Sequence, residues 1–293
     1  MNAHQHRPSS GRTVRVVRRL LVAALLAATA GGSAACLSVS RQDEIRMGRD
    51  YSERLDSELP LIREAAIREP VAEVGLALAR SSPRPDMPYE FEVVNTDAIN
   101  AFAVPGGFIY VNRGLVAEAE NMSQIAGVLA HEVGHIVGRH SAEQLEKART
   151  VGLGYGLFSV LFGQPEGVAA LGINLGANFY FARHSREDEA EADRMAVDMM
   201  VANGWDPRGL VGFFRIMLEE RERKPNALEA LFASHPLTEE RIRETQELID
   251  RLPASRLEGL RADSPAFGPL QSALAAHPAP PEEYRVKGDG NDG

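Results

Sequence analysis

Cysteine is nearly absent: Cys36 is the single thiol in 293 residues. With no second thiol to pair with, an intrachain disulfide has no part in stability. Internal repeats are absent as well, which excludes a solenoid or propeller. No apolar run reaches the ~20 residues that a permanent spanning helix needs. Basic charge is in deficit, 32 Lys and Arg against 41 Asp and Glu, which argues against nucleic acid and against a polybasic membrane patch. What remains, 44% hydrophobic and 25% charged residues, is ordinary for a soluble globular protein of one large or two small domains.

The first 35 residues do not read as fold. Arg7, Arg12, Arg15, Arg18 and Arg19 form a basic leader without an acid, followed by the apolar run Leu20 to Ala30 and small residues to Ala35. That order describes a secretory signal peptide over residues 1–35. Cys36 follows Ser33-Ala34-Ala35, which resembles the lipobox of bacterial lipoproteins, where the cysteine becomes the lipidated first residue. Leu37 in place of an aspartate resembles outer-membrane sorting. These residues predict a periplasmic protein held at the outer membrane by a lipid on Cys36. The leader carries five of the 32 basic residues and no acid, so the mature chain holds a net charge of −14.

Residues 43 to 80 show helical spacing of Ile45, Leu55, Leu59, Ile62, Val74 and Leu78. After a proline-rich loop come strand-like stretches at Tyr89 to Val94, Ala98 to Val104 and Phe108 to Asn112. Pro105-Gly106-Gly107 supplies hairpin-turn chemistry between the last two. A broad apolar arc of Ile125, Val128, Leu129, Val133 and Ile136 predicts an interior helix starting near Asn121 or Ser123. Residues 150 to 182 are glycine-rich with one charge, Glu166, and read as core or a mobile loop near a cleft. Ser185 with Asp188 approximates a capping box, opening a helix that runs to about Asn203 with Gly204 behind it. Thr238 to Leu252 reads as the last ordered helix. The Pro, Ala and Gly content from 253 to 293 predicts a largely disordered tail, leaving 36–252 as the folded domain.

The chemistry sits in His131-Glu132-Val133-Gly134-His135. In a helix the two histidines project from one face and can grip a single metal ion, with Glu132 placed as general base. Such a match is expected by chance only about 0.02 times in a chain of this composition. A third ligand must come from elsewhere. His140 is one candidate, but Ser141 occupies the position where a metzincin signature needs histidine, so His140 reads as a helix-end residue. Glu189 is the better one: it shares a helical face with Asp193, and it completes a His₂Glu site of net charge +1 around one Zn²⁺. Asp193 can then accept the second ring N–H of a ligand histidine.

Three segments, Asn100 to Asn112, the His131 helix, and Ser185-Arg186 through Asp193, resemble the gluzincin zinc peptidases. That family includes the CaaX prenyl endopeptidase, the HtpX heat-shock peptidase and periplasmic lipoprotein members. Ser234-His235-Pro236-Leu237-Thr238 with Arg241 is a fourth matching segment, and the likeness covers about residues 43 to 250. It implies His131, His135 and Glu189 as zinc ligands and Glu132 as the base. It places His235 and Arg241 near the metal, either as an oxyanion donor or, for His235, as a fourth ligand in a closed state. The implied fold is a mostly helical α+β metallopeptidase domain with a small sheet beside the motif helix. The implied function is a zinc metalloendopeptidase acting on misfolded or misassembled envelope proteins. The alternative is a chaperone-like binder of outer-membrane proteins with a latent zinc site.

Overall fold

The computed structural model describes residues 38–150 and 184–286. The leader with Cys36 and nearly all of the glycine-rich 150–182 segment lie outside the described residues. From Ser40 the chain enters helix α1 (Arg41–Glu58), where the Ser40 hydroxyl accepts from the Asp43 amide at 3.1 Å. The helical spacing over 43 to 80 is interrupted at Leu59, whose φ −81° and ψ 144° are extended. Pro60 explains the break, because its ring disfavours helical geometry in the residue before it. Helix α2 (Ala65–Arg80) follows.

Three strands come next: β1 (Glu90–Val94), β2 (Ala101–Val104) and β3 (Phe108–Asn112). Their order is β1-β3-β2, with β1 parallel and β2 antiparallel to β3. The β2–β3 hairpin turns at Gly106 and Gly107, whose φ of 92° and 113° suit glycine. β2 starts three residues later than its apolar pattern suggests, because the Ile99 amide bonds to the Ala227 carbonyl instead.

After the short helix α3 (Arg113–Glu118) comes α4 (Met122–Val137), the interior helix that the apolar arc predicts. Asn121 caps it, accepting from the Gln124 amide, and every residue from Met122 to Ile136 is buried. It packs on β2 on one side and on α2 elsewhere. Helix α5 (His140–Thr150) leaves its C-terminus. Helices α6 (Arg186–Ala202) and α7 (Arg208–Glu220) enclose α4 from other directions. The Ser185–Asp188 capping box is formed at the start of α6. Helix α8 (Pro225–Ser234) leads to α9 (Glu239–Asp250), which Thr238 caps and which packs on α6 and α7. The mostly helical α+β architecture with a small sheet beside the motif helix is therefore the one expected.

The tail requires a correction. Beyond residue 253, where composition predicts disorder, the chain forms α10 (Ala254–Leu257), α11 (Phe267–Ala276) and a 3₁₀ turn at Glu282–Tyr284. Leu270 and Leu274, one helical turn apart, are buried against α2 and α3. Arg113 donates to the carbonyls of Leu274 (3.1 Å) and Pro278 (2.7 Å), and the Tyr284 hydroxyl donates to Glu58 O at 2.6 Å. Leu270, Leu274 and Tyr284, with Phe267 and Ala273 half-buried beside the leucines, dock on a surface formed by residues distant in sequence. Leu270→Ala should accordingly destabilise the protein by about 2–5 kcal/mol in denaturant unfolding. A change within about 0.5 kcal/mol of zero would show the tail undocked.

Candidate metal centre

Helix α4 presents His131 and His135 on one buried face, their Nε2 atoms 2.9 Å apart. Glu132, next in sequence, is buried beside them. Helix α6 supplies Glu189: Oε1 lies 3.3 Å from His135 Nε2, and Oε2 lies 3.5 Å from His131 Nε2. The two helices approach closely because the motif's fourth residue is Gly134. A Cβ there would stand 2.9 Å from the Ala192 carbonyl oxygen and 3.0 Å from its Cα, both on α6. The glycine inside the five-residue motif thus sets the distance at which Glu189 meets the histidines.

One turn beyond Glu189, Asp193 places Oδ1 2.9 Å from His131 Nδ1. The remaining expected residues come from the α8–α9 junction and α9. His235 Nδ1 is 3.0 Å from Glu189 Oε1 and 3.4 Å from His131 Nε2, while its Nε2 is 3.7 Å from Glu132 Oε1. Arg241 donates from Nε and Nη2 to the two oxygens of Asp193, each at 2.8 Å, and its Nη1 contacts Glu189 Oε2. Its guanidinium also lies over the Phe214 ring, 4.6 Å from the centroid. The structure brings together all seven residues singled out in the folded domain: His131, Glu132, His135, Glu189, Asp193, His235 and Arg241.

The donor set can be tested against a metal. Atoms about 2.0–2.1 Å from a tetrahedral zinc are about 3.3 Å from one another. The separations here run from 2.9 to 3.5 Å, and one nitrogen or oxygen from each of His131, His135, Glu189 and His235 lies within 4.8 Å of all the others. Imidazole and carboxylate donors suit zinc. Glu189 Oε2 is buried between His131 Nε2 and the Arg241 guanidinium, which holds the carboxylate toward the motif histidines.

The electrostatics agree with the donor geometry. Burial opposes ionisation of Glu189, but His235, Arg241 and hydrogen bonds from the two motif histidines hold its carboxyl well below the usual carboxylate range. Asp193 is likewise opposed by burial and overcome by Arg241, ending at about 2. Burial, then the neighbouring His184 and His131, push His135 well below its ordinary value, so it is a neutral donor. His131 goes the other way: burial lowers it, but hydrogen bonds to Asp193 and Glu189 prevail and raise it to about 9.

Two neighbours were not singled out from the sequence, and a third was read otherwise. Thr245 donates to Asp193 Oδ2 at 3.1 Å; its position four residues after Arg241 was the available signal. His184 stacks on His135 with ring centroids 3.9 Å apart, and no spacing rule pointed to it. His140, expected only to mark a helix end, is buried with Nδ1 2.8 Å from His135 Nδ1.

The model of Peptidase family M48 matches residues 66–249. The beta-barrel assembly-enhancing protease of Escherichia coli (strain K12) is 28% identical over 228 residues, 75% of this chain and 47% of that protein. The mitochondrial metalloendopeptidase OMA1 of Schizosaccharomyces pombe is 29% identical over 223 residues, 74% of this chain and 64% of that one. The metalloprotease YcaL of Escherichia coli is 27% identical over 170 residues, 58% of this chain and 64% of that one. The chain spans about half the length of the first of these relatives.

A pH dependence follows from His131. With its value at about 9, the imidazole carries a proton at pH 7.5 that a metal must displace. Zinc binding to chelator-stripped protein at pH 7.5 should release about one proton, and apparent affinity should rise with pH until about 9. Calorimetry in buffers of differing ionisation enthalpy measures the release, and its absence would remove His131 as a protonated donor.

Proposed function

This chain belongs to peptidase family M48, a family of zinc metallopeptidases, and on that premise we propose that it is an endopeptidase of the bacterial cell envelope hydrolysing misfolded or misassembled proteins. The observation that carries the reading is the convergence of His131, His135 and Glu189 donor atoms at zinc-ligand separations beside the carboxylate of Glu132. In this reading those three residues hold one Zn²⁺ per chain. Asp193 accepts the Nδ1–H of His131, leaving Nε2 free to bind.

Zinc, when bound, supplies Lewis acidity toward the scissile carbonyl and the attacking water. Glu132 takes the proton from that water as the C–O bond forms, and returns it to the amine nitrogen as the C–N bond breaks. His235, whose Nε2 faces Glu132, and Arg241 are the donors available to the developing oxyanion. Arg241 is already committed to Asp193 and Glu189, which makes His235 the freer of the two. A small cavity lined by Val128, Phe213, Phe214, Met217, Leu231 and Leu237 adjoins His131, Glu132, His235 and Arg241. β2 is an edge strand beside α4, so an extended substrate can pair with it by strand addition.

The cellular setting rests on the leader and on the relatives. A signal peptide over residues 1–35 and lipidation of Cys36 would hold the protein on the periplasmic side of the outer membrane. Among the described residues no helix is long and apolar enough to cross a membrane. One relative is named for enhancing beta-barrel assembly, which fits substrates that fail during outer-membrane assembly. The acidic mature chain offers nothing to nucleic acid.

A second reading, a chaperone-like binder with a latent zinc site, draws support from His235. Its Nδ1 lies among the other three donors, where it can close the position that water needs.

Cleavage of an unfolded protein by wild type and by Glu132→Gln, at matched zinc occupancy, separates the readings. The variant should be slower by a factor of about 10² to 10⁴. Equal rates would sink the mechanism, and no cleavage by either protein would favour the latent binder. Mass spectrometry of the mature N-terminus should find a lipidated Cys36; an unmodified peptide beginning elsewhere would contradict the anchor.

A further inference from the structure

His131 has a carboxylate, Asp193, to fix its ring; among the described residues no carboxylate lies at the corresponding nitrogen of His135. The atom there is His140 Nδ1, 2.8 Å from His135 Nδ1. We propose that His140 is a positioning residue that accepts the Nδ1–H of His135 and thereby aims His135 Nε2 at the metal. This rests on the reading of His135 as a zinc ligand.

The chain is built to bring His140 back to this point. Helix α4 ends at Gly138, and Arg139 adopts a left-handed φ of 58°, uncommon for a residue with a side chain. Arg139 is tied there by Glu44 at 3.6 Å and Glu146 at 3.2 Å. The reversal folds the His140 ring over Gly138. A Cβ on Gly138 would lie 2.3 Å from His140 Nε2 and 2.7 Å from Cε1. No other residue type leaves room for the ring at that point.

Two imidazole nitrogens at hydrogen-bond distance share one proton, so the tautomers are linked. If His135 binds metal through Nε2, its proton sits on Nδ1 and His140 Nδ1 accepts. The His140 proton is then on Nε2. That nitrogen is buried, makes no hydrogen bond, and faces Glu191 Oε2 at 3.5 Å and Asp188 Oδ1 at 3.9 Å. Both carboxylates favour an N–H at this end of the ring. Helix α6 therefore orients both motif histidines, His131 directly through Asp193 and His135 by way of His140. A neutral imidazole does this without adding a negative charge, whereas Asp193 requires Arg241 beside it. His184 lies against the face of His135 and cannot accept its in-plane N–H.

The test uses the full chain. Zinc affinity is measured by competition with a fluorescent chelator for wild type, His140→Ala, His140→Asn and His135→Ala. His140→Ala should weaken zinc binding 10- to 100-fold and shift the visible bands of the Co²⁺-substituted protein. His140→Asn, whose side-chain oxygen replaces Nδ1 as acceptor, should recover affinity to within a few-fold. Long-range ¹H–¹⁵N spectra of zinc-loaded wild type should show His140 as the Nε2–H tautomer, a readout independent of any variant's folding. Wild-type affinity in His140→Ala, an Nδ1–H tautomer for His140, or a second zinc equivalent held by His135, His140 and His184 would each overturn the proposal. Unchanged affinity in His135→Ala would instead remove the ligand reading on which it rests.

Discussion

Between helices α6 and α9 the Arg241 guanidinium lays two nitrogens on the two oxygens of Asp193, with both side chains almost wholly out of water. Thr245 adds a third donor and His131 a fourth, so every lone pair of the carboxylate that faces the interior is used. A buried ion pair of this kind contributes little net stability over an apolar pair. Deleting one partner, however, strands the other charge at a cost of about 3–5 kcal/mol. The arrangement of the whole centre depends on it. Asp193 remains an anion because Arg241 is there, and His131 is oriented because Asp193 is an anion.

The other half of the centre is set by packing. α4 is buried along almost its whole length, so its histidines cannot sample other directions without disturbing the core. Gly134 lets α6 come close enough for Glu189 to reach both imidazoles. At the far end of α4, Arg84 donates to the Ile136 carbonyl at 2.7 Å and pairs with the buried Glu44. This adds a second donor to a last-turn carbonyl that also accepts from the Arg139 amide at 3.2 Å. A metal site needs this kind of support, since ligand placement to within fractions of an ångström determines affinity.

Much of this was legible in the chain. The His131–His135 spacing, the Asn121 start of α4, the Ser185 capping box and the β2–β3 turn are all encoded within a few residues of one another. The same holds for Glu189 and Asp193, one turn apart on α6. The unread parts involve partners far apart in sequence or irregular backbone. Phe267, Leu270 and Leu274 fall at helical spacing, but that single short stripe was outweighed by the Pro, Ala and Gly content around it. His140 fell one residue short of a known ligand spacing and lost significance, although the reversal at Gly138 and Arg139 brings its ring to His135. Thr245 and His184 carried no local signal strong enough to single them out.

Sequence by itself determined which candidate ligands share a helix face, because a 3.6-residue period fixes direction as soon as a helix forms. It also determined the caps and turns, where one side chain satisfies a backbone group a few residues away. Only the tertiary structure decided how the four segments meet: the α4–α6 distance at Gly134, the Arg241 clamp on Asp193, the entry of His235 among the donors, and the docking of the tail. Those contacts join residues tens to well over a hundred positions apart, and their geometry follows from packing the whole core, which no local pattern records.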